Sequence, residues 1–362
     1  MTTRPPHTPR HREPAAARGP AAHGNTAGRQ RLFAFGALGF CTAAVALALA
    51  IASDGGGSGH PRAHTRSHPA RRVSNARPSS YAVGLRVVRF VDISRSIVLD
   101  GKSEPRTLLT EVRYPALGPP GATDVHDAPA ARVDGPFPLV VFGHGFDVAP
   151  AQYARLLQWW AHAGYVVAAP AFPGENPAAP GGPNESDLVN QPGDMRFVIS
   201  RMLAESAGSG PLAGLLDPSR IAVAGHSDGG DTALAVAYDS RFRDPRVGAA
   251  IVLSGAEIPA EGEFTFPAGG PPLLATQGTA DTVNLPSATD AFFEAAHSPK
   301  YLLSLLGAEH LPPYTQQGPQ LEIVERVTRA FLDAYLYHKQ GALARLRGDG
   351  NVPGRASLQA DP

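Results

Sequence analysis

The chain has 362 residues, of which 32 are basic and 32 acidic, so its formal net charge is zero. The basic residues do not cluster on one predicted helix face, and this composition excludes a typical nucleic-acid-binding domain. The length fits one domain of about 260 residues with flanking segments. The only cysteine is Cys41, which excludes an intrachain disulfide. Arginine far outnumbers lysine, as is typical of a GC-rich bacterial genome.

Three segments precede the first predicted strand. Residues 1–31 form a polar arm with six arginines, which we expect to be disordered. Residues 32–52 are 21 residues without a charge, long enough for a transmembrane helix. Because positive charge stays on the cytoplasmic side, this signal-anchor would keep the arm inside a bacterial cell and the remaining chain outside. Residues 53–80 are rich in Gly, Ser and Pro, which predicts a disordered linker.

A cleaved signal peptide is the alternative to a retained anchor. The residues Ala50-Ile51-Ala52 match the small-x-small pattern of a cleavage site. Cleavage there would release a secreted protein, whereas a retained helix would give a single-pass membrane protein. The long arm and the length of the apolar span favour the anchor.

Strands and helices alternate from residue 81 onward. Two antiparallel strands are predicted near residues 83–92 and 107–114. Further strands are predicted at 137–142, 165–169, 221–224, 247–253, 272–277 and 301–306, and helices at 150–163, 195–203, 231–237 and 321–336. This order predicts an α/β fold over residues 81–345, with a doubly wound, mostly parallel sheet and antiparallel first strands. Residues 346–362 are assigned to a C-terminal tail.

The predicted strand at 137–142 is followed by Gly143-His144-Gly145-Phe146. Its two glycines allow a tight turn, so that the backbone amide of Phe146 can point at a developing negative charge. We therefore expect this loop to supply one donor of an oxyanion hole, with His144 shaping the loop. An ordinary glycine-containing turn before a helix is the alternative.

The predicted strand at 221–224 leads into Gly225-His226-Ser227-Asp228-Gly229, and a helical stretch follows. A G-x-S-x-G turn between a strand and a helix is typical of a nucleophile elbow, which holds a serine in a strained conformation at the top of a sheet. Ser227 is the candidate nucleophile, and the backbone amide of Asp228 is the candidate second oxyanion donor. His226 is expected to pack beneath the serine in a structural role.

A serine nucleophile needs a base, and the base needs a third group that orients it. In proteins with this elbow, the acid and then the base follow the serine along the chain. Asp281 follows the predicted strand at 272–277, and His310 follows the one at 301–306. Both would lie at the carboxyl edge of the sheet, where open α/β sheets bind ligands. Taken alone, each could instead be a turn aspartate or a loop histidine.

These motifs resemble one group within the α/β-hydrolase superfamily. The matching segments are residues 108–116, 144–146, 225–230, 278–282 and 307–310. The group holds platelet-activating-factor acetylhydrolase-like esterases, dienelactone-hydrolase-like proteins and bacterial polyester hydrolases, and the resemblance covers about residues 81–345. It implies Ser227 as nucleophile, Asp281 as acid and His310 as base. It also implies the amides of Phe146 and Asp228 as the oxyanion hole. Dienelactone hydrolases carry a cysteine at the position of Ser227, which argues against their reaction here.

Two long loops interrupt the alternation of strands and helices. Residues 171–193 and 256–271 are rich in Pro and Gly, and loops of that length are usually functional or disordered. Their aromatic residues Phe172, Phe264 and Phe266 are candidate walls of an acyl pocket, with ordinary loop packing as the alternative. No zinc-type spacing and no nucleotide-binding glycine motif after a strand is found, so neither a metal nor a cofactor is expected.

Together these features predict an extracytoplasmic serine hydrolase that acts as a monomer on small-molecule or lipid-like carboxylic esters. An acyltransferase using the same residues is one alternative, because an alcohol could replace water in the second half-reaction. A catalytically inactive surface binding module is another. The acidic residues Asp147, Asp228 and Glu309 adjoin the candidate site. We therefore expect neutral esters to be preferred over esters that carry a free carboxylate.

Overall fold

The computed structural model describes residues 80–257 and 263–362. The described residues belong to one compact unit. The predicted arm at 1–31, the predicted membrane span at 32–52 with Cys41, and the predicted linker up to residue 79 lie outside the described residues. None of the helices in the two described stretches combines the length and the apolar character that crossing a bilayer requires.

In the described part of the chain, ten strands form one sheet in the order β10-β9-β8-β7-β6-β4-β5-β2-β1-β3. The strands are β1 (Ala82–Leu99), β2 (Lys102–Ala116), β3 (Val125–His126), β4 (Phe137–Gly143), β5 (Val166–Ala171), β6 (Leu216–His226), β7 (Val247–Leu253), β8 (Leu273–Gly278), β9 (Lys300–Leu305) and β10 (Ala356–Asp361). The helices are α1 (Ala154–His162), α2 (Gln191–Ala207), α3 (Asp228–Tyr238), α4 (Pro286–Ala295), α5 (Pro312–Thr315), α6 (Pro319–Tyr335) and α7 (Ala342–Gly350). The strands from β4 to β9 run parallel, and β1–β2, β2–β5 and β9–β10 pair antiparallel. The predicted α/β class with a mostly parallel sheet is confirmed.

The sheet is covered by helices on both faces, and β4 shows how its residues serve the two cores. Successive strand side chains point to opposite faces. Leu139 and Val141 lie in one core with residues of α2, α3 and α4. Val140 and Phe142 lie in the other core with residues of α1, α5 and α6. All four side chains are fully buried, as expected for a parallel strand between two helical layers.

The first hairpin is longer than its apolar pattern predicts. β1 and β2 continue to a tight turn at Asp100 and Gly101, which have φ values of 48° and 72°. β1 is irregular between Asp92 and Ser96, and most side chains near the tip are exposed, so no alternation marks these residues as strand. β2 begins to pair with β5 only where Leu109 faces Ala171, the last residue of β5. The tip of the hairpin therefore projects beyond the carboxyl ends of the parallel strands.

The assignment of residues 346–362 to a tail outside the domain is wrong. Residues 346–350 belong to α7, and β10 pairs antiparallel with β9 from Ala356 opposite Leu305 to Asp361 opposite Lys300. β10 is an edge strand whose side chains are mostly exposed or half-buried. The short, polar sequence therefore carries little of the apolar alternation that marks a strand.

The segment predicted as a loop at 171–193 is partly helical. A 3₁₀ turn covers Glu185–Asn190, and α2 begins at Gln191, before the predicted start at 195. Arg106 of β2 connects these elements to the hairpin. Its guanidinium donates two hydrogen bonds of 2.8 Å to the carboxylate of Asp187 and one of 2.8 Å to that of Asp194. Since Arg106 is 1% exposed, this is a buried ion cluster that couples β2 to α2.

Removing the cation from this cluster should be strongly destabilising. We expect Arg106→Met to lower the free energy of unfolding by about 3–5 kcal/mol, because Asp187 and Asp194 would remain buried without their main counter-charge. Urea denaturation measures the loss. Arg326→Met is the control, since Arg326 and Asp349 form a 3.5 Å pair with side chains 41% and 33% exposed. It should cost less than about 1 kcal/mol, and equal losses in the two variants would contradict the prediction.

Candidate active site

Ser227 lies at a sharp turn between the end of β6 and the start of α3. Its backbone has φ 54° and ψ −126°, a conformation that a residue with a side chain rarely adopts. The turn is held by its amide, which donates to the carbonyl of Leu253 at 3.0 Å, and by its carbonyl, which accepts from Asp231 at 2.9 Å. Strain of this kind clusters at functional sites. The expected strand–turn–helix arrangement around Ser227 is present.

The elbow requires glycine at two positions because backbones approach each other closely. A side chain at Gly225 would collide with the carbonyl of Gly229, and one at Gly229 would collide with the carbonyl of Gly143. The first turn of α3 therefore rests directly on the ends of β4 and β6. This contact brings Ser227 beside the loop that follows β4.

The side chains of Asp281 and His310 meet at the carboxyl edge of the sheet. Asp281 follows β8, His310 follows β9, and His310 Nδ1 lies 2.7 Å from Asp281 Oδ2. The other carboxylate oxygen accepts from the backbone amides of Val283 at 2.8 Å and Asn284 at 3.1 Å. Burial alone would raise the pKa of Asp281, but these hydrogen bonds, led by the one from His310, hold it below its usual value. The carboxylate is thus ionised and fixed in position at neutral pH.

The serine and the histidine lie on adjacent loops without a direct bond. Within the described residues, no hydrogen bond joins the Ser227 hydroxyl to the His310 ring, and Ser227 is 7% exposed. The His310 side chain is 14% exposed, so it reaches solvent while its acid partner does not. Catalytic hydrogen bonds are often long in a ligand-free enzyme and shorten when substrate binds. The site therefore presents a hydroxyl, an imidazole and a buried carboxylate along one edge of the sheet.

The loop after β4 is fixed by the buried ring of His144. His144 Nδ1 lies 2.8 Å from the carbonyl oxygen of Gly145, and its Nε2 lies 2.8 Å from the amide of Phe172. A carbonyl only accepts, so Nδ1 carries the proton and Nε2 accepts from the Phe172 N–H. Burial lowers the pKa of His144 to about 4, which keeps the ring neutral. The Gly145 carbonyl shares its peptide plane with the Phe146 amide, so His144 also sets the direction of the candidate oxyanion donor.

Glu175 is a component of the site that the sequence patterns did not indicate. It is fully buried in the loop after β5, and its carboxyl faces Asp228 and Gln191. Burial, together with the nearby charge of Asp228, raises the pKa of Glu175 to about 10. Asp231 is also buried near Asp228. Burial and the charge of Asp228 raise the pKa of Asp231 well above its usual range. Glu175 thus retains its proton at neutral pH, and Asp231 ionises less readily than an exposed aspartate.

The three phenylalanines predicted to line an acyl pocket all pack against other aromatic rings. Phe172 is fully buried against the His144 ring, with 4.9 Å between ring centroids, so it packs against the loop that follows β4. Phe266 packs on Tyr238 at 5.0 Å, and Phe264 packs on Phe266 at 5.9 Å. Tyr238 ends α3 and is about 15 Å along the helix axis from its first residue. Phe264 and Phe266 therefore pack near the last residue of α3, and the assignment of the three phenylalanines to an acyl pocket stays a prediction.

A cavity of about 650 Å³ lies between the projecting hairpin and the loop that contains Gly174. Residues that line it include Ser96, Arg106, Asn184 and Asn190, whereas Ser227 and His310 do not line it.

Of the acidic residues expected near the site, Asp147 and Glu309 are exposed and Asp228 is buried. In the described residues, no group of three or more His, Cys, Asp and Glu side chains is arranged to hold a metal ion.

The raised pKa of Glu175 predicts how stability changes with pH. A pKa higher in the folded than in the unfolded state means that folding takes up a proton between roughly pH 4.5 and 10, so this stabilising contribution is lost as pH rises. Glutamine at this position has no such dependence. Relative to the wild type, Glu175→Gln should therefore gain stability with increasing pH, by up to about 1.4 kcal/mol per pH unit. Urea denaturation at pH 5, 7 and 9 measures this difference. A constant offset between Glu175→Gln and the wild type at the three pH values would contradict the assignment.

Comparisons with known proteins agree with this architecture. The Chlorophyllase family model matches residues 101–254, which run from the tip of the first hairpin to just beyond β7 and include the elbow. The solved structure of a ferulic acid esterase from Streptomyces cinnamoneus shares 23% sequence identity with this chain, with a TM-score of 0.57. That match covers 73% of this chain and 93% of the esterase. No curated protein matches the sequence. The chain therefore has an α/β-hydrolase fold, and it is similar to the Chlorophyllase family over residues 101–254.

Proposed function

We propose that this protein is a serine hydrolase that cleaves carboxylic esters, with Ser227 as nucleophile, His310 as base and Asp281 as acid. The observation that carries the proposal is the 2.7 Å contact between His310 Nδ1 and the buried Asp281 carboxylate, on loops at the same sheet edge as Ser227. An aspartate so placed fixes the histidine tautomer with its proton on Nδ1, which leaves Nε2 free to act as the base. The matched family and the matched structure are both named after ester-cleaving enzymes, which supports the same reaction class.

The proposed reaction has two half-reactions. In the first, the Ser227 oxygen attacks the ester carbonyl carbon while His310 takes the hydroxyl proton, and the resulting oxyanion is bound by the amides of Phe146 and Asp228. The tetrahedral intermediate collapses, the carbon–oxygen bond to the alcohol breaks, and His310 returns the proton to the leaving alcohol. In the second, His310 deprotonates a water that attacks the acyl-enzyme, and the acid is released.

The charges around the elbow support a preference for neutral esters. Asp147 and Glu309 are exposed next to residues of the proposed site. Their negative charge disfavours approach of an anionic substrate, most strongly at low ionic strength. We expect a higher kcat/KM at low salt for a neutral ester than for its analogue with a free carboxylate, measured with matched pairs. Equal values for the two substrates would contradict the preference.

Removing the nucleophile should abolish ester hydrolysis without unfolding the protein. We expect Ser227→Ala to lower kcat for p-nitrophenyl acetate by about 10⁶, to background, since nucleophile and base act as a unit. Ser200→Ala, at an exposed position on α2, is the matched control and should keep full activity. Circular dichroism checks the fold of both variants. More than a few per cent residual activity in purified Ser227→Ala would disprove the assignment of the nucleophile.

The acid and the base give a second comparison. His310→Ala should be as damaging as loss of the serine, and Asp281→Asn should be severe but milder, because the carboxylate orients the imidazole and stabilises its charged form. Glu309→Gln, one residue from His310, should retain activity. If Glu309→Gln were more damaging than Asp281→Asn in steady-state kinetics, the acid would be misassigned.

A separate experiment distinguishes hydrolysis from acyl transfer. An acceptor alcohol is added, and product analysis shows whether an acyl ester forms in place of the free acid.

We also propose that the catalytic domain acts as a monomer outside a bacterial cell, held by a membrane helix at residues 32–52. The proposal rests on the uncharged span and the arginine-rich arm before it. The full-length protein should fractionate with membranes and keep the arm at its N-terminus. A mature N-terminus near Ser53 in the medium would instead show a cleaved signal peptide.

A further inference from the structure

Tyr153 and His226 form a buried chain of hydrogen bonds between the three loops of the proposed site. The backbone amide of Gly145 lies 3.3 Å from the Tyr153 hydroxyl. That hydroxyl lies 2.8 Å from His226 Nδ1, and His226 Nε2 lies 2.9 Å from the backbone carbonyl of His310. Tyr153 and His226 are 0% and 1% exposed, so water does not compete for these bonds.

The chemistry of the partners fixes every proton in this chain. The carbonyl of His310 only accepts, so His226 Nε2 carries the ring proton. Burial and the neighbouring His310 hold the pKa of His226 far below its usual range, so the ring is neutral and Nδ1 is an acceptor. Tyr153 must therefore donate to Nδ1, and its oxygen is then available to accept from Gly145. Burial raises the pKa of Tyr153, so its hydroxyl keeps its proton.

The hydrogen bonds of Tyr153 and His226 hold backbone segments that matter for the proposed reaction. Gly145 precedes Phe146, the proposed oxyanion donor, and His226 precedes Ser227 in the elbow. The carbonyl that accepts from His226 belongs to His310 itself, and the two imidazole rings pack with 4.6 Å between their centroids. The bonds therefore fix the distance between the oxyanion loop, the elbow and the backbone of the base.

We propose that Tyr153 and His226 are positioning residues that hold the oxyanion donor, the nucleophile and the base in one geometry for ester cleavage. This inference rests on the proposed function, because it assigns the two residues a role in that reaction. Neither residue exchanges a proton with substrate. A displacement of about 1 Å in an active site can cost as much as 100-fold in rate. Loss of these hydrogen bonds should thus lower kcat, while substrate binding changes little.

Tyr153→Phe tests the chain by removing one hydroxyl. We expect kcat of the full-length protein for p-nitrophenyl acetate to fall by between about 10-fold and 100-fold, with KM within about twofold of wild type. Tyr165→Phe is the matched control, since Tyr165 is also fully buried but lies just before the amino end of β5, and its hydroxyl donates to Asp333 at 2.8 Å. The two variants should lose comparable thermal stability. Only Tyr153→Phe should lose kcat.

A second variant separates positioning from general loss of packing. His226→Gln retains a donor and an acceptor, so it should keep more activity than His226→Leu. In a double-mutant cycle, Tyr153→Phe should cost less in the His226→Leu background than in wild type, because both substitutions break the same chain. If Tyr153→Phe fails to fold, the direct comparison of His226→Gln with His226→Leu still tests the inference.

The outcomes distinguish this inference from the proposed function. If wild type has no ester hydrolysis that depends on Ser227, the proposed function fails and the inference fails with it. If wild type hydrolyses esters and Tyr153→Phe keeps the kcat of Tyr165→Phe, the function stands and the positioning role is disproved. Equal activity of His226→Gln and His226→Leu, or fully additive losses in the cycle, would also overturn the positioning role.

Discussion

The arrangement of this site depends on direct backbone contact between β4, β6 and the first turn of α3. At Gly143, Gly225 and Gly229 the main chains approach so closely that an added Cβ would meet another backbone. The contact leaves no room for a side chain between the strands and the helix. It sets Ser227, in its strained turn, beside the loop that follows β4. A larger residue at any of these positions would separate Ser227 from that loop.

The neutral and protonated side chains around this contact explain how so many polar groups are buried near the nucleophile. His144 and His226 are fully buried and remain neutral, and each uses one ring nitrogen as donor and the other as acceptor. Glu175 retains its proton at neutral pH, and burial together with the charge of Asp228 also raises the pKa of Asp231. The anionic partner that the proposed reaction needs is Asp281, whose pKa is held below its usual value.

Residues whose placement follows from local pattern could be predicted from the sequence. Parallel strands end at one sheet edge, so the turns after β6, β8 and β9 had to bring Ser227, Asp281 and His310 to that edge. The Asp281–His310 contact is present, while their catalytic roles stay predictions. The mostly parallel sheet with its antiparallel start followed from the alternation of strands and helices.

The parts that could not be predicted depend on contacts between distant segments. Tyr153 and Glu175 reach the site only because the fold brings their loops against Gly145 and Asp228, and no spacing in the sequence records this. β10 pairs with β9 through backbone hydrogen bonds, and its short polar sequence has no pattern that predicts this pairing. Phe264 and Phe266 were assigned by residue type alone, and the position of Tyr238 decides where they pack.

The most direct test of the account is covalent labelling with a fluorophosphonate, followed by mass spectrometry of the intact chain and its peptides. A fluorophosphonate reacts with a serine that an adjacent base activates. The account predicts one adduct per chain, on Ser227, and no adduct after His310→Ala. An unlabelled wild-type chain would show a catalytically inactive fold, and labelling at another serine would show that the reactive site lies elsewhere.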